Sequence, residues 1–420
     1  MANLIVFEDQ QVEQLHPVAL GRPAYAVTCA CFHLYQFLEQ LNVSAVSLVR
    51  SHLEVIQRLD FPFFTESLSS HPSQTVLASA RLVPSVSNVR RLQKVLDESD
   101  AEPGVRLAHD DHGNVVVAVL PTSQVASKDR AAVLGLLEAA HNNGFKKLAE
   151  NFDAICYPHD LIRFNQQCFC ENIEHLIATE RFKEIRDGLF AAEGAKVSDN
   201  VVIDSSAGPV LIDAGASVGP FCYFAGPVYV GPNCKVNEHS AIKDFVCLTH
   251  TVKAGGEIEA TVIEPYSNKQ HHGFLGHAYL GSWINLGAGT CNSDLKNTYG
   301  KVNMTYRDQK VSTDMQFVGC IIGDYSKAAI NTSVFTGKLI GVCSNLYGFV
   351  SSNVPSFVNY ARSFGQQTLQ TVEVMQITQQ RMFARRKVKQ RDCDIQLLSD
   401  MFSMTQCERP DDLSTESPTL

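Results

Sequence analysis

The densest group of side chains that could do chemistry lies in one glycine-rich segment, residues 267–292, which reads SNKQHHGFLGHAYLGSWINLGAGTCN. An acyl transfer to an amine or a hydroxyl needs a base that titrates near neutral pH, and histidine supplies one. The reaction also needs hydrogen-bond donors for the thioester oxygen as it gains negative charge, and backbone N–H groups at irregular turns can provide them. The segment therefore predicts a site for acyl transfer.

A repeat of apolar residues every six positions predicts the element that positions this segment. The residues between the apolar positions are small, polar or glycine, so the chain must turn after each short strand. Three such strands make a triangular coil with the repeated side chain inside, which predicts a left-handed parallel β-helix over residues 197–350. The repeat runs through Ile212, Val218, Phe224, Val230, Val236, Ile242 and Leu248, then Phe274, Leu280 and Leu286, then Ile322, Ala328, Val334, Ile340 and Leu346.

Two stretches break the repeat, residues 255–273 and residues 290–314. Breaks in a solenoid are where binding loops leave the coil, because the regular turns cannot accommodate extra chain. The two stretches flank the short middle run of the repeat. We therefore expect the active site at that middle run.

The rest of the chain predicts a second domain and helical appendages. Alternating short apolar strands and helical patterns over residues 1–155 are typical of an α/β domain. Residues 156–192 have helical spacing and predict a linker to the β-helix, residues 193–355. Residues 356–404 predict a C-terminal helical segment with a basic stretch, and the polar residues 405–420 predict a disordered tail.

Composition restricts the class of protein. The 420 residues are 45% hydrophobic and 19% charged, which is typical of a folded soluble protein. A formal net charge of −9 argues against a general nucleic-acid binder and favours small-molecule partners. The sequence contains neither an apolar stretch of membrane-spanning length nor a signal peptide, which predicts a cytoplasmic protein. The thirteen cysteines, an odd number scattered through apparent core positions, predict reduced thiols.

The segment ending in NLGAGT, residues 285–290, resembles the NIGAGT segment of the acetyltransferase half of GlmU-type bifunctional enzymes. Those enzymes acetylate glucosamine 1-phosphate and couple the product to UTP. Without a gap, the resemblance places the family's general-base histidine on His271. It also implies that Asn285 contacts the sugar and that Ala288, next to Gly287, lies where the family's backbone binds acetyl-CoA.

Nearly the full length resembles a divergent branch of GlmU-related proteins, on the segments LIVFED, LHPVALGRP, YPHDLI and SNKQHHGFLGHAYLG and an Arg-Arg pair in a C-terminal helix. The resemblance implies a nucleotidyltransferase-like N-terminal domain and a homotrimer with its site between neighbouring subunits. It also implies a sugar-phosphate substrate and acetyl-CoA as co-substrate, with UTP and Mg²⁺ needed only if the N-terminal domain is active.

Two departures from the family bear on the acceptor. The resemblance puts Phe274 where the family has a substrate-contacting tyrosine, and Glu259 where it has a phosphate-binding lysine. A carboxylate cannot replace an ammonium opposite a sugar phosphate, because like charges repel. The acceptor is therefore expected to differ from glucosamine 1-phosphate, or another lysine replaces the missing one. Lys269 and Lys296 are the candidates, with Asn268 as a further substrate contact.

The N-terminal domain departs further from the family. Classical sugar nucleotidyltransferases carry a GxGTR loop that binds the triphosphate, and this chain has LHPVALGRP instead. Arg22 is the residue that matches the family's phosphate-binding arginine. Residues 109–114, HDDHGN, predict a hairpin turn rather than a metal cluster. Nucleotidyl transfer is therefore less expected than acyl transfer.

Two other functions fit the same fold. His272 and His277 have a spacing similar to that of γ-class carbonic anhydrases, β-helix trimers that bind zinc with three histidines, and His250 or His239 could be the third ligand. We favour no metal, because the GlmU-related segment carries His277 without one. The other alternative is a non-catalytic assembly module with a degenerate, nucleotide-binding N-terminal domain.

Overall fold

The computed structural model describes residues 3–65, 68, 72–101, 104–125, 129–142, 145–179, 181–416 and 418. The chain divides into two compact units. The first is Met1–Leu15 with Gly21–Tyr157, and the second is His16–Leu20 with Pro158–Leu420. The predicted boundary at residue 155 compares with an observed one at residue 157, and the segment 16–20 belongs to the second unit.

The first unit is an α/β domain, as predicted from its alternating patterns. Its mixed six-stranded sheet has the spatial order 2-1-3-5-4-6 in chain numbering. The first three strands are parallel neighbours, and the fifth runs antiparallel to the third and fourth. The strands are Asn3–Phe7, Ser44–Leu48, Gln74–Ser79, Arg106–His109, Val115–Pro121 and Lys146–Lys147. The predicted turn at residues 109–114 joins the fourth strand to the fifth.

Helices cover this sheet and fix its core. The α-helices are Leu34–Leu38, Glu54–Asp60, Val86–Asp97 and Arg130–Asn142. Val133 and Leu137 of the last helix pack in the core with Ile5 and Leu77. The Val86–Asp97 helix, which the sequence analysis did not predict, begins at Ser85, whose hydroxyl accepts from Asn88 N at 3.1 Å.

The second unit contains the left-handed parallel β-helix that the repeat predicts, with strands on three faces. We call the ten-stranded sheet the long face; its strands are Lys196–Val197, Ser217–Val218, Lys235–Val236, Lys253–Ala254, Asn268–Lys269, Asn285–Leu286, Lys327–Ala328, Asn345–Leu346, Val358–Ala361 and Gln366–Leu369. The second face is a nine-stranded sheet of Phe182–Arg186, Leu189–Ala192, Val210–Ile212, Val228–Val230, Val246–Leu248, Val262–Ile263, Tyr279–Leu280, Cys320–Ile322 and Lys338–Ile340. The third consists of Val202–Asp204, Tyr223–Ala225, Ala241–Lys243, Glu257–Glu259 and Phe274–Gly276, continued by Cys291–Asn292, Ser333–Val334 and Phe349–Val350.

The interior of the β-helix is formed by the predicted repeat residues, with one exception. Phe274 is only half-buried, and its neighbour Leu275 takes the interior place, paired with Ile258 on the adjacent strand. The cause is a short step, because the interior residues Leu275 and Leu280 are five positions apart instead of six. The coil before this step is also short. Lys235 pairs with Lys253, 18 positions further on, whereas Lys253 pairs with Asn268, only 15 positions further on. The phase of the repeat therefore shifts.

The two predicted breaks in the repeat differ in the structure. Residues 255–273 form this short coil, so the prediction of a loop there is wrong. The second break is confirmed as an insertion, because the chain leaves the coil after Cys291–Asn292 and rejoins it at Cys320–Ile322. The insertion contains an antiparallel hairpin of Asn303–Tyr306 and Gln309–Ser312. Asn353 Nδ2 donates to Thr305 O at 2.8 Å and fastens the hairpin to a later coil.

Helices flank the β-helix at both ends of the second unit. The segment predicted as a linker forms the α-helix Asp160–Ala178 and the first two strands of the nine-stranded sheet. The C-terminal segment forms two α-helices, Val372–Arg385 and Asp392–Met404. In the described part of the chain, no helix combines the length and apolar character that crossing a bilayer requires.

The residues after the last helix are ordered as far as residue 416, where we had expected a disordered tail. Arg409 donates to Phe402 O at 2.7 Å and lies over the Phe402 ring. Ser414 O accepts from Leu369 N at 2.7 Å. These contacts hold the segment against the end of the β-helix. Residues 417, 419 and 420 lie outside the described residues.

Candidate functional site

Lys269 lies inside the β-helix, directly beside the predicted base. Its side chain is 2% exposed. Its ammonium donates to the carbonyl oxygens of Gly255 at 2.9 Å, His271 at 2.7 Å and Gly273 at 2.7 Å. Burial lowers the pKa of Lys269 to about 8. Since the three carbonyls take the three N–H groups, this placement argues against Lys269 as a substrate contact and gives it the role of fixing the backbone around His271.

His271 is exposed, while its backbone is held on both sides. Its own carbonyl accepts from Lys269, and the carbonyl of His272 accepts from Gly289 N at 3.1 Å. The imidazole therefore stands at the surface on a fixed main chain, immediately after the long-face strand Asn268–Lys269. A base that must meet an incoming acceptor needs this combination of access and fixed position.

Asn268 and Asn285 are adjacent on the long face, as neighbouring residues of two paired strands. Asn268 Nδ2 donates to Asn285 Oδ1 at 3.3 Å. Arg386, from the end of the first C-terminal helix, donates to Asn268 Oδ1 at 2.6 Å. The structure thus brings together two of the predicted substrate contacts on the coils that carry His271, and it adds an arginine that the sequence analysis did not single out.

The predicted acetyl-CoA contacts follow Asn285 on the next coil, at the corner equivalent to that of His271. Ala288 O accepts from Asn331 N at 2.7 Å, while the Ala288 N–H has no acceptor within the described residues. That N–H remains available to a ligand. Gly287 has a packing role, because a Cβ on it would lie 2.6 Å from the carbonyl carbon of Ala329 in the neighbouring coil. Lys296 lies half-buried in the insertion, where its carbonyl accepts from Tyr299 N at 2.8 Å.

Glu259, at the position of the family's phosphate-binding lysine, is part of an ion-pair group on the third face. Lys243 Nζ lies 3.0 Å from a Glu259 oxygen and 2.8 Å from a Glu257 oxygen. Phe274, at the position of the family's tyrosine, pairs with Glu257 on the adjacent strand. Two carboxylates and one ammonium leave this place with no net positive charge for a phosphate.

His277 forms a pair with Asp294 that the sequence analysis missed. His277 Nδ1 lies 2.9 Å from Asp294 Oδ2, and the two side chains are 12% and 14% exposed. The imidazole also stacks on Phe317 at 5.2 Å between ring centroids. A carboxylate at Nδ1 orients the ring and leaves Nε2 as the acceptor, an arrangement suited to a general base. Asp294 lies 17 positions away in the insertion, so spacing gave no signal for the pair.

The zinc alternative gains no support within one chain. Among the described residues, no group of three or more His, Cys, Asp and Glu side chains is placed to bind a metal ion. The proposed ligands instead pack separately on the coil. His239 stacks on Phe221, His250 contacts the edge of Tyr266, and His277 is paired with Asp294.

The first unit places charged residues at the carboxyl ends of its first four strands, which run in the same direction, and open α/β sheets bind ligands at this edge. We call this group the carboxyl edge; it consists of Glu8 and Asp9, Arg50, and Arg81 with Asp110. Arg50 Nε lies 2.9 Å from Glu8 Oε2. Arg81 is fully buried and lies 2.7 Å from an Asp9 oxygen and 3.3 Å from Asp110 Oδ2. Each of the three carboxylates therefore has an arginine partner, and Arg81 is shared by two of them.

Arg22 lies in a loop whose backbone forms hydrogen bonds with residues of the carboxyl edge. Glu8 Oε1 accepts from Ala24 N at 2.8 Å, and Arg50 Nη2 donates to Arg22 O at 3.0 Å. Arg22 thus lies beside the carboxyl edge, as expected of a nucleotide contact, with its side chain half-buried. The sequence analysis singled out Arg22 and missed Glu8, Arg50 and Arg81. Their position directly after apolar strands was the available signal.

Known proteins with similar sequences include sugar nucleotidyltransferases and bifunctional nucleotidyltransferase/acetyltransferases. Residues 4–181 match the model of a family described as sugar nucleotidyl transferase. The chain is 27% identical over 161 residues to a bifunctional sugar-1-phosphate nucleotidylyltransferase/acetyltransferase of Sulfurisphaera tokodaii, covering 38% of this chain and 39% of that protein. It is 30% identical over 131 residues to the bifunctional protein GlmU of Ralstonia pickettii, covering 30% and 27% of the two chains. The chain therefore spans well under half the length of these relatives.

Solved structures with partial similarity to this chain include two acyltransferases. A UDP-N-acetylglucosamine acyltransferase of Francisella novicida matches with 14% identity and a TM-score of 0.22, covering 52% of this chain and 78% of that one. The N-acyltransferase AntD of Bacillus cereus matches with 10% identity and a TM-score of 0.22, covering 51% and 96%. Similarity of this degree establishes neither fold nor function.

Proposed function

We propose that this chain, a divergent relative of the GlmU-type nucleotidyltransferase/acetyltransferases, transfers an acetyl group from acetyl-CoA to a small acceptor of the sugar-phosphate class. The observation that carries the proposal is the exposed His271 on a fixed backbone beside the Asn268–Asn285 pair. The active form is a cytoplasmic homotrimer, in which neighbouring subunits complete the site. The product belongs to nucleotide-sugar biosynthesis.

The chemistry requires a base, a nucleophile and a donor for the oxyanion. His271 takes the proton from the acceptor amine, while the nitrogen of that amine forms a bond to the thioester carbonyl carbon. The Ala288 N–H donates to the carbonyl oxygen as that oxygen becomes negative. The carbon–sulfur bond then breaks, and CoA leaves as a thiol with the proton that His271 held. Asn268 and Asn285 position the acceptor.

The acceptor differs from glucosamine 1-phosphate in how its charge is recognised. The place of the family's phosphate-binding lysine holds Glu259, which shares Lys243 with Glu257. A phosphate there would meet two carboxylates, which repel it. We therefore propose an amino sugar whose phosphate lies elsewhere on the ring, or one held by a lysine outside this ion-pair group, with Lys296 as a candidate.

The proposal assigns turnover to the β-helix and none to the first unit. Mg²⁺ binding by a nucleotidyltransferase needs carboxylate oxygens that are available to the ion. At the carboxyl edge, Glu8, Asp9 and Asp110 are each paired with an arginine. UTP and Mg²⁺ are accordingly not part of the proposed reaction.

The test combines acetyl-CoA binding with thiol release. Calorimetry measures acetyl-CoA binding to the wild type and to His271→Ala, and a thiol assay follows turnover across amino-sugar phosphates. We expect both proteins to bind acetyl-CoA and the variant to turn over about 10²- to 10⁴-fold more slowly, the usual contribution of a general base.

His272→Ala is the matched control, because it removes the adjacent exposed imidazole and should retain turnover. If acetyl-CoA fails to bind the wild type, the transferase proposal is wrong. If His271→Ala turns over as fast as the control, the proposal loses its base.

A further inference from the structure

The long face carries a line of lysines along its first coils. Lys196, Ser217, Lys235 and Lys253 occupy equivalent positions on four consecutive paired strands. Their chain neighbours Val218, Val236 and Ala254 are buried, so these lysines lie on the outer side of the sheet, as strand alternation requires. Neighbouring strands are about 5 Å apart, which places Lys235 and Lys253 within reach of one ligand group.

Two arginines join this line from the C-terminal helix. Arg385 ends the Val372–Arg385 helix, and Arg386 follows it and donates to Asn268, the next long-face residue after Lys253. The pKa of Lys253 is lowered, first by partial burial and then by the nearby positive charges of Arg386, Arg385 and Lys235. We call Lys235, Lys253, Arg385 and Arg386 the basic ladder.

The charges of the basic ladder are not neutralised. Within the described residues, none of its four cations has a carboxylate within ion-pair distance, in a chain whose formal net charge is −9. Arg391, five positions after Arg386, pairs with Asp394 at 2.9 Å, and Lys243 on the third face pairs with two glutamates. A helix C-terminus favours nearby cations, which accounts for Arg385 and Arg386 but not for the lysines of the sheet.

A cavity adjoins the ladder on the first coils of the long face. Its volume is about 600 Å³, and it is open to solvent. Its lining includes Lys196, Ser198, Ser217, Lys235 and Glu238. A ligand with an anionic part on the ladder therefore has room for a larger part in the cavity.

We infer that the basic ladder binds the pyrophosphate group of a small ligand. Four cations on two adjacent strands and a helix end match the several negative charges of a diphosphate better than the one or two of a single phosphate. Such a group comes from coenzyme A or from a nucleoside diphosphate. The coenzyme A source rests on the proposed function, because its thioester would have to reach His271. The nucleotide source does not rest on it.

The experiment measures binding of inorganic pyrophosphate, CoA and UDP by calorimetry at two salt concentrations. The variants are Lys253→Gln and Arg386→Gln. The matched control is Lys310→Gln, which removes the same charge from the exposed hairpin of the insertion. We expect wild type and control to bind pyrophosphate alike, the two ladder variants to bind it about tenfold more weakly, and the difference to shrink at high salt. Unfolding curves of all four proteins verify that the variants are folded.

The organic ligands identify the source of the pyrophosphate. A ligand that competes with pyrophosphate and is weakened by both ladder variants is the natural occupant, whether CoA or UDP. If wild type does not bind pyrophosphate, or if the ladder variants bind it as well as Lys310→Gln does, the inference is overturned. Thiol release in the same proteins separates this result from the proposed function, since acetyl transfer can persist with pyrophosphate binding absent.

Discussion

The carboxyl edge of the first unit and the basic ladder of the β-helix both gather charged side chains, yet they treat those charges in opposite ways. At the carboxyl edge each arginine is paired with a carboxylate, and Arg81 is completely buried between two of them. On the basic ladder four cations lie together, and no carboxylate of the described residues is within ion-pair distance of them. The charges of the carboxyl edge are paired within the chain, whereas the cations of the basic ladder remain available to an anionic ligand.

The difference indicates where each half of the molecule uses its charges. The cost of removing two charges from water is offset only by the attraction between them. Removing one partner of a buried ion pair is therefore destabilising. Exposed like charges repel one another and are relieved by an anion. The carboxyl edge thus acts on the stability of the first unit, and the ladder acts on binding.

The largest expected effect is that of Arg81→Met. The variant leaves Asp9 and Asp110 buried without their cation, which should lower the free energy of unfolding by about 3–5 kcal/mol. Far-UV circular dichroism in denaturant follows the whole chain, whereas fluorescence of the single tryptophan, Trp283, follows the β-helix. In the variant we expect part of the dichroism to be lost at a lower denaturant concentration than in the wild type. The denaturant midpoint of the Trp283 fluorescence should not change.

Arg91→Met is the matched control for that variant. Arg91 is 39% exposed and lies 3.7 Å from Asp153, so its loss should cost less than about 1 kcal/mol. If the two variants lowered the free energy of unfolding equally, the carboxyl edge would stabilise the first unit no more than a surface ion pair does. The proposed role of the carboxyl edge in stability would then be wrong.

The β-helix could be predicted from the sequence because it produces a short, local repeat of apolar residues. A six-residue recurrence of apolar residues leaves few ways to bury them other than a triangular coil. The prediction failed at Phe274, since the interior residues Leu275 and Leu280 are five positions apart instead of six, which brings Leu275 inside. Coil length is set by how the corners turn, which an apolar pattern does not encode.

The candidate sites were harder to predict because they depend on contacts between distant parts of the chain. Glu8 meets Arg50 across 42 positions, and Asp9 meets Arg81 across 72. Lys269 could be singled out by its type, but its burial follows from the shortened coil. Arg386 could be noted only as part of a basic stretch, and its contact with Asn268 spans 118 positions.

An intermediate effect is expected of Lys269, a cation that is buried like Arg81 but is bound by carbonyls instead of a carboxylate. Its pKa in the folded state is about 8, below the ordinary 10.5 of the unfolded chain. Below pH 8 both states hold the proton, and the folded state bears the full cost of the buried charge. Between pH 8 and 10.5 the folded state releases its proton while the unfolded state keeps it, so the free energy of unfolding rises with pH.

The measurement for Lys269 is the free energy of unfolding from pH 7 to pH 10.5, in the wild type and in Lys269→Met. The wild type should gain up to about 3 kcal/mol relative to the variant across this range. Lys310→Met serves as the control and should follow the wild type. Parallel curves for wild type and Lys269→Met would mean that the three carbonyls hold the ammonium charged throughout.

The smallest expected effect is that of Asp294→Asn, since the His277–Asp294 pair is a single, partly exposed contact. Its exposure is intermediate between that of the carboxyl edge and that of the basic ladder. Asparagine keeps an oxygen for the His277 Nδ1–H but loses the charge, which should lower the free energy of unfolding by about 1 kcal/mol. Thermal unfolding measures this against Asp308→Asn, the same change at an exposed hairpin turn. Turnover in the thiol assay should stay within about twofold of the control, because the proposed base is His271. A variant that stays folded but loses turnover as far as His271→Ala does would show that the oriented imidazole of His277 takes part in the reaction, and the site would then extend from the long face to the insertion.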